Sequence, residues 1–427
     1  MDGPDKAATI TVGIVGLGYV GLPLAMLFSS AGIQVIGIDI NDKKIEALRN
    51  GKSYLTDFSD AEIKGLLGTQ HFEPTTFFYR ACEADVVILC VPTPLSEYSY
   101  PDLSYIQTAA KAITPYLKKG QLVVLESSTF PGTTEEVLLP ILQESGLKVG
   151  REFYLAYSPE RIDPGNKEFT LAQIPKVVSG MTAECLKRIK EVYGQVFQTL
   201  VPVSSTKAAE MTKILENSQR FINISFINET NMICAEMGID LWEVIEAAKT
   251  KPYGFTAYYP GPGIGGHCIP VDPLYLQWKA GQYELETRFI ELAKVVNGQM
   301  PDYIIDRIDK SLKNGKRLSN SKILVIGLTY KKDVNDIRES TSLMILEKLR
   351  MMDIQAVYHD PLVPHVRIEG ERYESIMLTP ENLAMYDCAV ILTDHTGLPY
   401  DMIVEHSVLV FDTRYSIKEP HANVVRL

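Results

Sequence analysis

The residues best suited to chemistry lie in the stretch "PGPGIGGHCIPVDP", Pro260 to Pro273. One thiol, Cys268, sits there among four glycines and four prolines. Glycine and proline at this density exclude a regular helix or a central strand, so the thiol belongs to a loop. A thiolate adds readily to an aldehyde. The resulting thiohemiacetal is a good hydride donor, and its oxidation gives a thioester that water hydrolyses. The loop glycines would admit a substrate closely and offer backbone N–H donors to an oxyanion. The alternative is a buried structural thiol, the commonest fate of a cysteine outside disulfides. We take that reading for Cys82, Cys90, Cys185, Cys234 and Cys388, which fall in helical or strand-like patterns.

Other groups join the thiol as candidates by role. Lys213 and Asn217 are four residues apart in a helical pattern, so they share a face. Together they could steady an alkoxide, or they could be a solvated helix face. Glu160, in "SPERIDPGN", follows the apolar run "REFYLAY". A carboxylate there either activates water or is a solvated surface acid. In "GLTYKKDVNDIRES", Lys331, Lys332 and Arg338 follow a strand. They either bind phosphates or make surface ion pairs.

These side chains need a scaffold, and the N-terminal pattern supplies one. "TITVGIVGLGYVGLPLAMLFSSAGIQVIGIDI" (Thr9 to Ile40) reads strand, tight turn, helix, strand. Gly16, Gly18 and Gly21 form G-x-G-x-x-G around Tyr19 and Val20. Asp39 stands 18 residues past Gly21, at the end of the second strand. That is the dinucleotide-binding arrangement: glycines for close approach of a pyrophosphate to a helix N-terminus, an acid for the ribose hydroxyls. An acid there repels a 2′-phosphate, so NAD is expected rather than NADP. A glycine turn that binds nothing is the alternative, and the complete unit argues against it. "VPTP" with Thr93 and "ESSTFPGT" with Thr129 end later strands and would line the cofactor crevice.

Further along, short apolar runs alternate with helical patterns: "ADVVILCVPTP", "QLVVLESST" and "PKVVSG". This predicts a parallel sheet covered on both faces. From about Ser205 the pattern turns helical. A long amphipathic segment without proline or glycine runs to Gly238 and could cross between domains. A second α/β pattern follows the polar linker "KSLKNGKRLSNSK": "SKILVIGLTY", "IQAVYHDP", "DCAVILTDH" and "VLVFDTR". The expected fold class is α/β, with two Rossmann-like doubly wound parallel-sheet domains joined by a central helical domain with a long connecting helix. We expect an NAD-binding domain at 1–204, a helical domain at 205–300 and a second α/β domain at 318–427.

Composition bounds the partners. The chain has 427 residues, with 53 acidic against 42 basic and a net charge of −11. No basic run suggests nucleic acid or a membrane surface. No apolar stretch is long enough to span a bilayer, and "MDGPDKAATI" does not read as a signal peptide. The scattered cysteines form no C-x-x-C and the seven histidines no H-x-x-x-H. No metal is expected, and a reducing cytoplasm is.

Taken in order, "GLGYVGLPLA", "ESSTFPGTT", "SPERIDPGN", "PGPGIGGHCIPVDP" and "GLTYKKDVNDIRES" resemble the UDP-glucose/GDP-mannose dehydrogenase family over nearly the whole chain. The resemblance implies an NAD domain, a central dimerisation domain and a C-terminal domain that binds a UDP-sugar. It implies oxidation of the sugar's C6 alcohol to a carboxylate with two NAD and no metal. The forms "SPERIDPG" and "GGHCIPVDP" look like the UDP-N-acetylhexosamine branch, especially UDP-N-acetylglucosamine 6-dehydrogenases of surface-polysaccharide synthesis. Arg161 and Ile162 stand where UDP-glucose enzymes typically carry a phenylalanine-leucine pair.

The carry-over implies Cys268 as nucleophile, Lys213 and Asn217 as oxyanion stabilisers, and Asp272 as partner of the catalytic water. Thr129 and Glu160 would serve the hydrolytic step. Arg161, Gly265 and Lys331 would touch the substrate, Arg338 would reach the cofactor across a domain cleft, and Arg414 in "FDTR" would meet the nucleotide end. UDP-glucose and the galacto and manno epimers stay open as substrates. A two-electron dehydrogenase of a β-hydroxy acid or acyl-CoA would share the first half but needs no thiol. A catalytically dead NAD-binding protein would not need Cys268, Lys213, Asn217 and Asp272 together.

Overall fold

A computed structural model describes residues 10–55, 58–96, 100–163, 165, 168–312 and 315–427. The N-terminal leader reading lies outside these residues, as do parts of the "SPERIDPGN" motif and of the polar linker. The chain packs into two compact units. One is Met1–Glu216 with Leu274–Glu286, and the other is Asn217–Pro273 with Thr287–Leu427.

In the first unit the apolar runs become β1 (Thr11–Val15), β2 (Gln34–Ile38), β3 (Phe72–Thr75), β4 (Val86–Leu89), β5 (Leu122–Leu125), β6 (Tyr154–Tyr157), β7 (Lys176–Gly180) and β8 (Leu200–Pro202). Their order across the sheet is β3-β2-β1-β4-β5-β6-β7-β8. The order reverses between β1 and β4, and such a reversal opens a crevice at the carboxyl ends of the strands. Both faces are covered: Val12, Ile14 and Val35 enter one apolar cluster, Val15, Ile36 and Val87 another. That is why the strands read as unbroken apolar runs instead of alternating. The sheet departs from the expected parallel arrangement at one place, where β6 and β7 pair antiparallel. A parallel return requires a long crossover, usually helical. Among the described residues between Tyr157 and Lys176 there is only the short 3₁₀ turn Leu171–Gln173, so the chain comes back in the opposite direction.

The helix Thr206–Met237 is unbroken, as its lack of glycine and proline predicts. The Ser205 hydroxyl accepts the Ala208 amide at its start. Gly238, in the left-handed region at φ +70°, ends it, and the Ile239 amide returns to the Cys234 carbonyl.

The second unit repeats the logic of the first. β9 (Lys322–Ile326), β10 (Gln355–His359), β13 (Cys388–Ile391), β14 (Val410–Asp412) and β15 (Val424–Arg426) form a parallel sheet in the order β10-β9-β13-β14-β15. A hairpin of β11 (His365–Ile368) and β12 (Glu371–Glu374) stands apart from it. The two glycine turns match in detail. The Gly16 amide donates to Ile38 and the Gly327 amide to His359, both at 2.8 Å. A Cβ on Gly16 would stand 2.5 Å from the Cys90 carbonyl oxygen, and one on Gly327 would stand 2.4 Å from that of Thr393. The Leu17 amide donates to Asp39 at 2.9 Å, the Leu328 amide to Asp360 at 2.6 Å.

Cys90, Cys185, Cys234 and Cys388 are buried, as a structural role requires. Cys82 corrects the sequence reading: it is exposed, on the 3₁₀ turn Phe78–Glu83. Its flanking pattern resembled a helix, but the turn fully buries only Ala81, with Phe78 packing partly against the core.

The glycine turn gives a direct test of this packing. A Cβ on Gly21 would lie 1.9 Å from the Gly16 carbonyl oxygen, whereas one on Gly18 meets nothing within 4 Å. Gly21→Ala should therefore destabilise the protein by roughly 3 kcal/mol, and Gly18→Ala by no more than about 0.5 kcal/mol. Urea melts of the two variants check this, and equal melting midpoints would contradict it.

Candidate active site

The thiol loop is shaped by what presses on it within the second unit. A Cβ on Gly265 would stand 2.5 Å from the Glu339 carbonyl oxygen and 2.9 Å from the Tyr330 Cβ. Gly266, at φ +89°, would place one 2.6 Å from the Tyr330 ring, and its amide donates to the Arg338 carbonyl. Gly261 lies against the Arg414 guanidinium and Gly263 against Thr341. Two side-chain amides hold the rest: the buried Asn228 accepts the Gly261 amide at 3.0 Å, and the half-buried Asn297 accepts that of Ile264 at 2.7 Å. Cys268 follows directly and is half-buried. Its carbonyl accepts the amides of Val271 and Asp272 in the turn that opens the helix Asp272–Gly281.

Asn217 and Asp272 meet in the same unit. The Asn217 Nδ2 donates to Asp272 Oδ2 at 2.6 Å, and both residues are buried. Lys213, one turn earlier on its helix, is buried as well. The solvated-face alternative for Lys213 and Asn217 is thereby corrected: polar groups at these positions are taken out of water.

The basic cluster after β9 divides. Arg338 is exposed and chelates Asp336, with Nη2 2.6 Å from Oδ2. Lys332 lies 3.8 Å from Asp394. Lys331 is half-buried, and its carbonyl accepts the Thr329 hydroxyl at 2.9 Å. Arg414 donates from Nε to the Leu392 carbonyl at 2.8 Å.

In the first unit, the glycine turn leads into the helix Gly21–Ser30. This helix has no side-chain cap and no acid in its first turn. Tyr19 and Val20 pack partly against the core beside it. The buried Asp39 accepts the Asn41 amide at 2.9 Å and lies 3.1 Å from the Lys44 ammonium. Thr93 is buried, its carbonyl accepting the Tyr275 hydroxyl. Ser127 ties the two crevice loops together, accepting from the Val91 amide at 3.1 Å and donating to the Val91 carbonyl at 2.8 Å. The Thr129 hydroxyl is buried against that of Thr133.

Glu160 is not the solvated surface acid of the alternative reading. It is 3% exposed, and Oε1 accepts the amides of Arg161 and Ile162, both at 2.7 Å. Burial is the largest single influence and pushes its carboxyl up, but the Lys176 ammonium at 3.0 Å, Lys213 and the Arg161 amide together outweigh it, so the net direction is downward. The Arg161 guanidinium is taken by Glu216 at 2.6 Å and by the Pro175 carbonyl at 2.9 Å.

Sequence reasoning missed Lys176, Glu126 and Glu210. Glu210 is fully buried and accepts the Thr134 amide at 2.8 Å and the Thr134 hydroxyl at 2.7 Å, and it also accepts the Gly132 amide. It thereby fixes the turn that follows Thr129. Its only sequence signal is an acid on an otherwise core-facing helix stripe.

Comparison with known proteins decides the family. Residues 10–197 match the NAD-binding domain of the UDP-glucose/GDP-mannose dehydrogenase family, residues 207–299 its central domain and residues 324–419 its UDP-binding domain. The chain is 36% identical to a UDP-N-acetyl-D-glucosamine 6-dehydrogenase of Pseudomonas aeruginosa over 390 residues, 91% of each chain. The chain belongs to the UDP-glucose/GDP-mannose dehydrogenase family. It is also 32% identical to an NDP-N-acetyl-D-galactosaminuronic acid dehydrogenase of Ralstonia nicotianae over 426 residues, 96% of this chain and 97% of the relative. Its structure is similar to that of a UDP-D-ManNAc dehydrogenase from Pyrococcus horikoshii, with a TM-score of 0.88 and 30% identity over 98% of both chains. The chain is thus an NAD-dependent nucleotide-sugar dehydrogenase with a UDP-sugar-binding domain. No helix among the described residues is long and apolar enough to cross a membrane.

The glycine turn fits NAD. The uncapped helix start offers amides to a pyrophosphate, and the open side of Gly18 leaves room for its approach. Asp39 ends β2 where the ribose would lie.

Two predictions follow from these contacts. A 2′-phosphate beside Asp39 would be a like-charge contact, so NAD should exceed NADP in kcat/KM by roughly a hundredfold. Equal efficiency in steady-state kinetics would remove Asp39 from that role. The second concerns Glu210, whose carboxyl is raised by burial from 4.5 to about 7. Below the unfolded value both states hold the proton. Between the two values only the folded state holds it, so its stabilisation is lost as pH rises through about 7. The stability of wild type relative to Glu210→Gln should fall by about 3 kcal/mol between pH 4 and pH 8. Urea denaturation across that range measures the difference, and parallel curves would refute it.

Proposed function

We propose that this protein oxidises the C6 hydroxyl of a UDP-N-acetylhexosamine to the uronic acid, with UDP-N-acetyl-D-glucosamine the first choice of substrate. It would act in the cytoplasm as a homodimer or higher homo-oligomer, for surface-polysaccharide synthesis. The work divides among an NAD domain at 1–204, a helical dimerisation domain at 205–300 and a UDP-sugar domain at 318–427. The observation that carries the reading is the glycine-bound loop that holds Cys268 four residues before Asp272, itself 2.6 Å from Asn217. A two-electron dehydrogenase has no use for that thiol.

NAD, one molecule for each oxidation, would supply the hydride acceptor. Lys213 and Asn217 steady the oxyanion that forms as the alcohol loses its proton and again when the thiol adds. Cys268 captures the aldehyde as a thiohemiacetal, and its oxidised thioester is then hydrolysed. Glu160, buried yet favoured as a carboxylate, accepts the proton of the attacking water, with Thr129 and Asp272 orienting that water. Gly16, Gly18, Tyr19, Val20, Gly21, Asp39, Thr93 and Thr129 hold the cofactor, with Arg338 reaching it. Arg161, Gly265, Lys331 and Arg414 serve the nucleotide sugar. Arg161 does so through the Glu160 loop, since its own guanidinium is engaged by Glu216.

Relatives named for glucosamine, galactosamine and mannosamine derivatives support the N-acetyl class, as do the "SPERIDPG" and "GGHCIPVDP" motifs. Rates with a panel of UDP-sugars test it. The reading expects the N-acetyl substrates to lead, and a panel led by UDP-glucose would overturn it. Cys268→Ala should still bind NAD and the UDP-sugar but form acid at least about a thousandfold more slowly. Acid made at near the wild-type rate would reduce the loop to a substrate-binding turn.

A further inference from the structure

The first unit buries a cluster of charges. Lys176 opens β7 and is 3% exposed. Its ammonium lies 2.9 Å from Glu126 and 3.0 Å from Glu160. Glu126, just past β5, is also buried, and its second oxygen accepts the Tyr193 hydroxyl. The second oxygen of Glu160 accepts two backbone amides. The rings of Phe197 and Tyr193 cover the ammonium, at 5.3 and 6.0 Å. One cation thus serves two acids, and each acid oxygen has its own donor.

We propose that Lys176 is the positioning residue of Glu160. By bridging two buried carboxylates it holds the Glu160 side chain in one orientation and in its ionised form, while Glu126 and Tyr193 anchor the ammonium from the other side. The inference rests on the reading that Glu160 serves the hydrolytic step.

Two physical arguments carry it. Glu160 sits on a loop after β6, where a glutamate would otherwise sample several rotamers. Its bonds to Lys176 and to two amides leave it one orientation. The charge balance adds the second argument. One ammonium between two carboxylates leaves a surplus negative charge, and a buried surplus draws a proton to one acid. Burial raises Glu126, with Lys176 opposing and Glu160 adding to the rise, whereas Glu160 is lowered. The proton therefore goes to Glu126 and spares Glu160. Of the other ionisable groups facing the cluster, the buried Cys90 thiol and Tyr193 phenol are both pushed upward and stay neutral. Lys213 favours the charged form of Glu160.

The test follows the decay of the enzyme-bound thioester against pH, by mass spectrometry of acid-quenched enzyme, in folded variants checked by circular dichroism. Lys176→Met should move the acid limb of the decay rate upward by at least about one pH unit, with at least about a tenfold loss at neutral pH that recovers at alkaline pH. Lys176→Arg should stay within about threefold of wild type, because the bridge persists. Glu126 already holds its proton where Glu160 titrates, so Glu126→Gln should leave the acid limb within about half a pH unit of wild type. A purely structural lysine would not shift the limb when its charge is removed and leave it in place when the charge is kept. A Lys176→Met profile that superimposes on wild type overturns the proposal. If that variant does not fold, Lys176→Gln takes its place, and a limb that stays at the wild-type pH overturns the proposal. Glu160→Gln is the control. If thioester decay is unchanged in that variant, the reading of Glu160 itself fails, whatever the lysine variants do.

Discussion

The arrangement depends on one steric constraint: at its four glycines the backbone of the thiol loop lies too close to its neighbours to carry a side chain. Tyr330 and Glu339 occupy the space where Cβ atoms of Gly265 and Gly266 would go, and Arg414 and Thr341 do the same at Gly261 and Gly263. The loop is therefore seated on the segments that follow β9 and β14, and the half-buried thiol emerges from a rigid support. A cysteine on a helix or strand would have been easier to pack. Its place in this loop suits the nucleophilic role proposed for it, since a nucleophile must be approachable and yet held in one place.

The two sheets solve a second problem in the same way. Each first strand ends in a glycine whose left-handed backbone turns beneath the carbonyl of the neighbouring strand's end. In each, an aspartate from the next strand takes the amide just after that glycine. The first turn is open at Gly18 and leads to an uncapped helix, as a pyrophosphate requires. The second has His395 against its aspartate, at 3.1 Å. A side chain fills that position, and the second sheet is matched by the family's UDP-binding domain.

What the sequence disclosed follows from how local each feature is. The glycine fingerprint with Asp39, the unbroken helix to Gly238 and the thiol loop are each written in a short run of residues. Strand direction is not local: "PKVVSG" reads as a strand either way, and its antiparallel pairing comes from a connection without a helical crossover. Lys176 lies within the run "PKVVSG", yet its partners lie 50 and 16 residues away. Glu210 finds its partners more than 70 residues away, in the turn after β5. Buried polar networks join residues distant in sequence, so no spacing rule finds them. Cys82 failed for the opposite reason: a helix-like pattern lay on an exposed turn.

The central claim is that Cys268 makes this a four-electron oxidation in one active site. The most direct measurement supplies limiting UDP-N-acetylhexosamine with excess NAD and counts NADH against sugar consumed. The account predicts two NADH per sugar, with uronic acid as the product and no aldehyde released. One NADH per sugar, with a ketone or aldehyde accumulating, would contradict it.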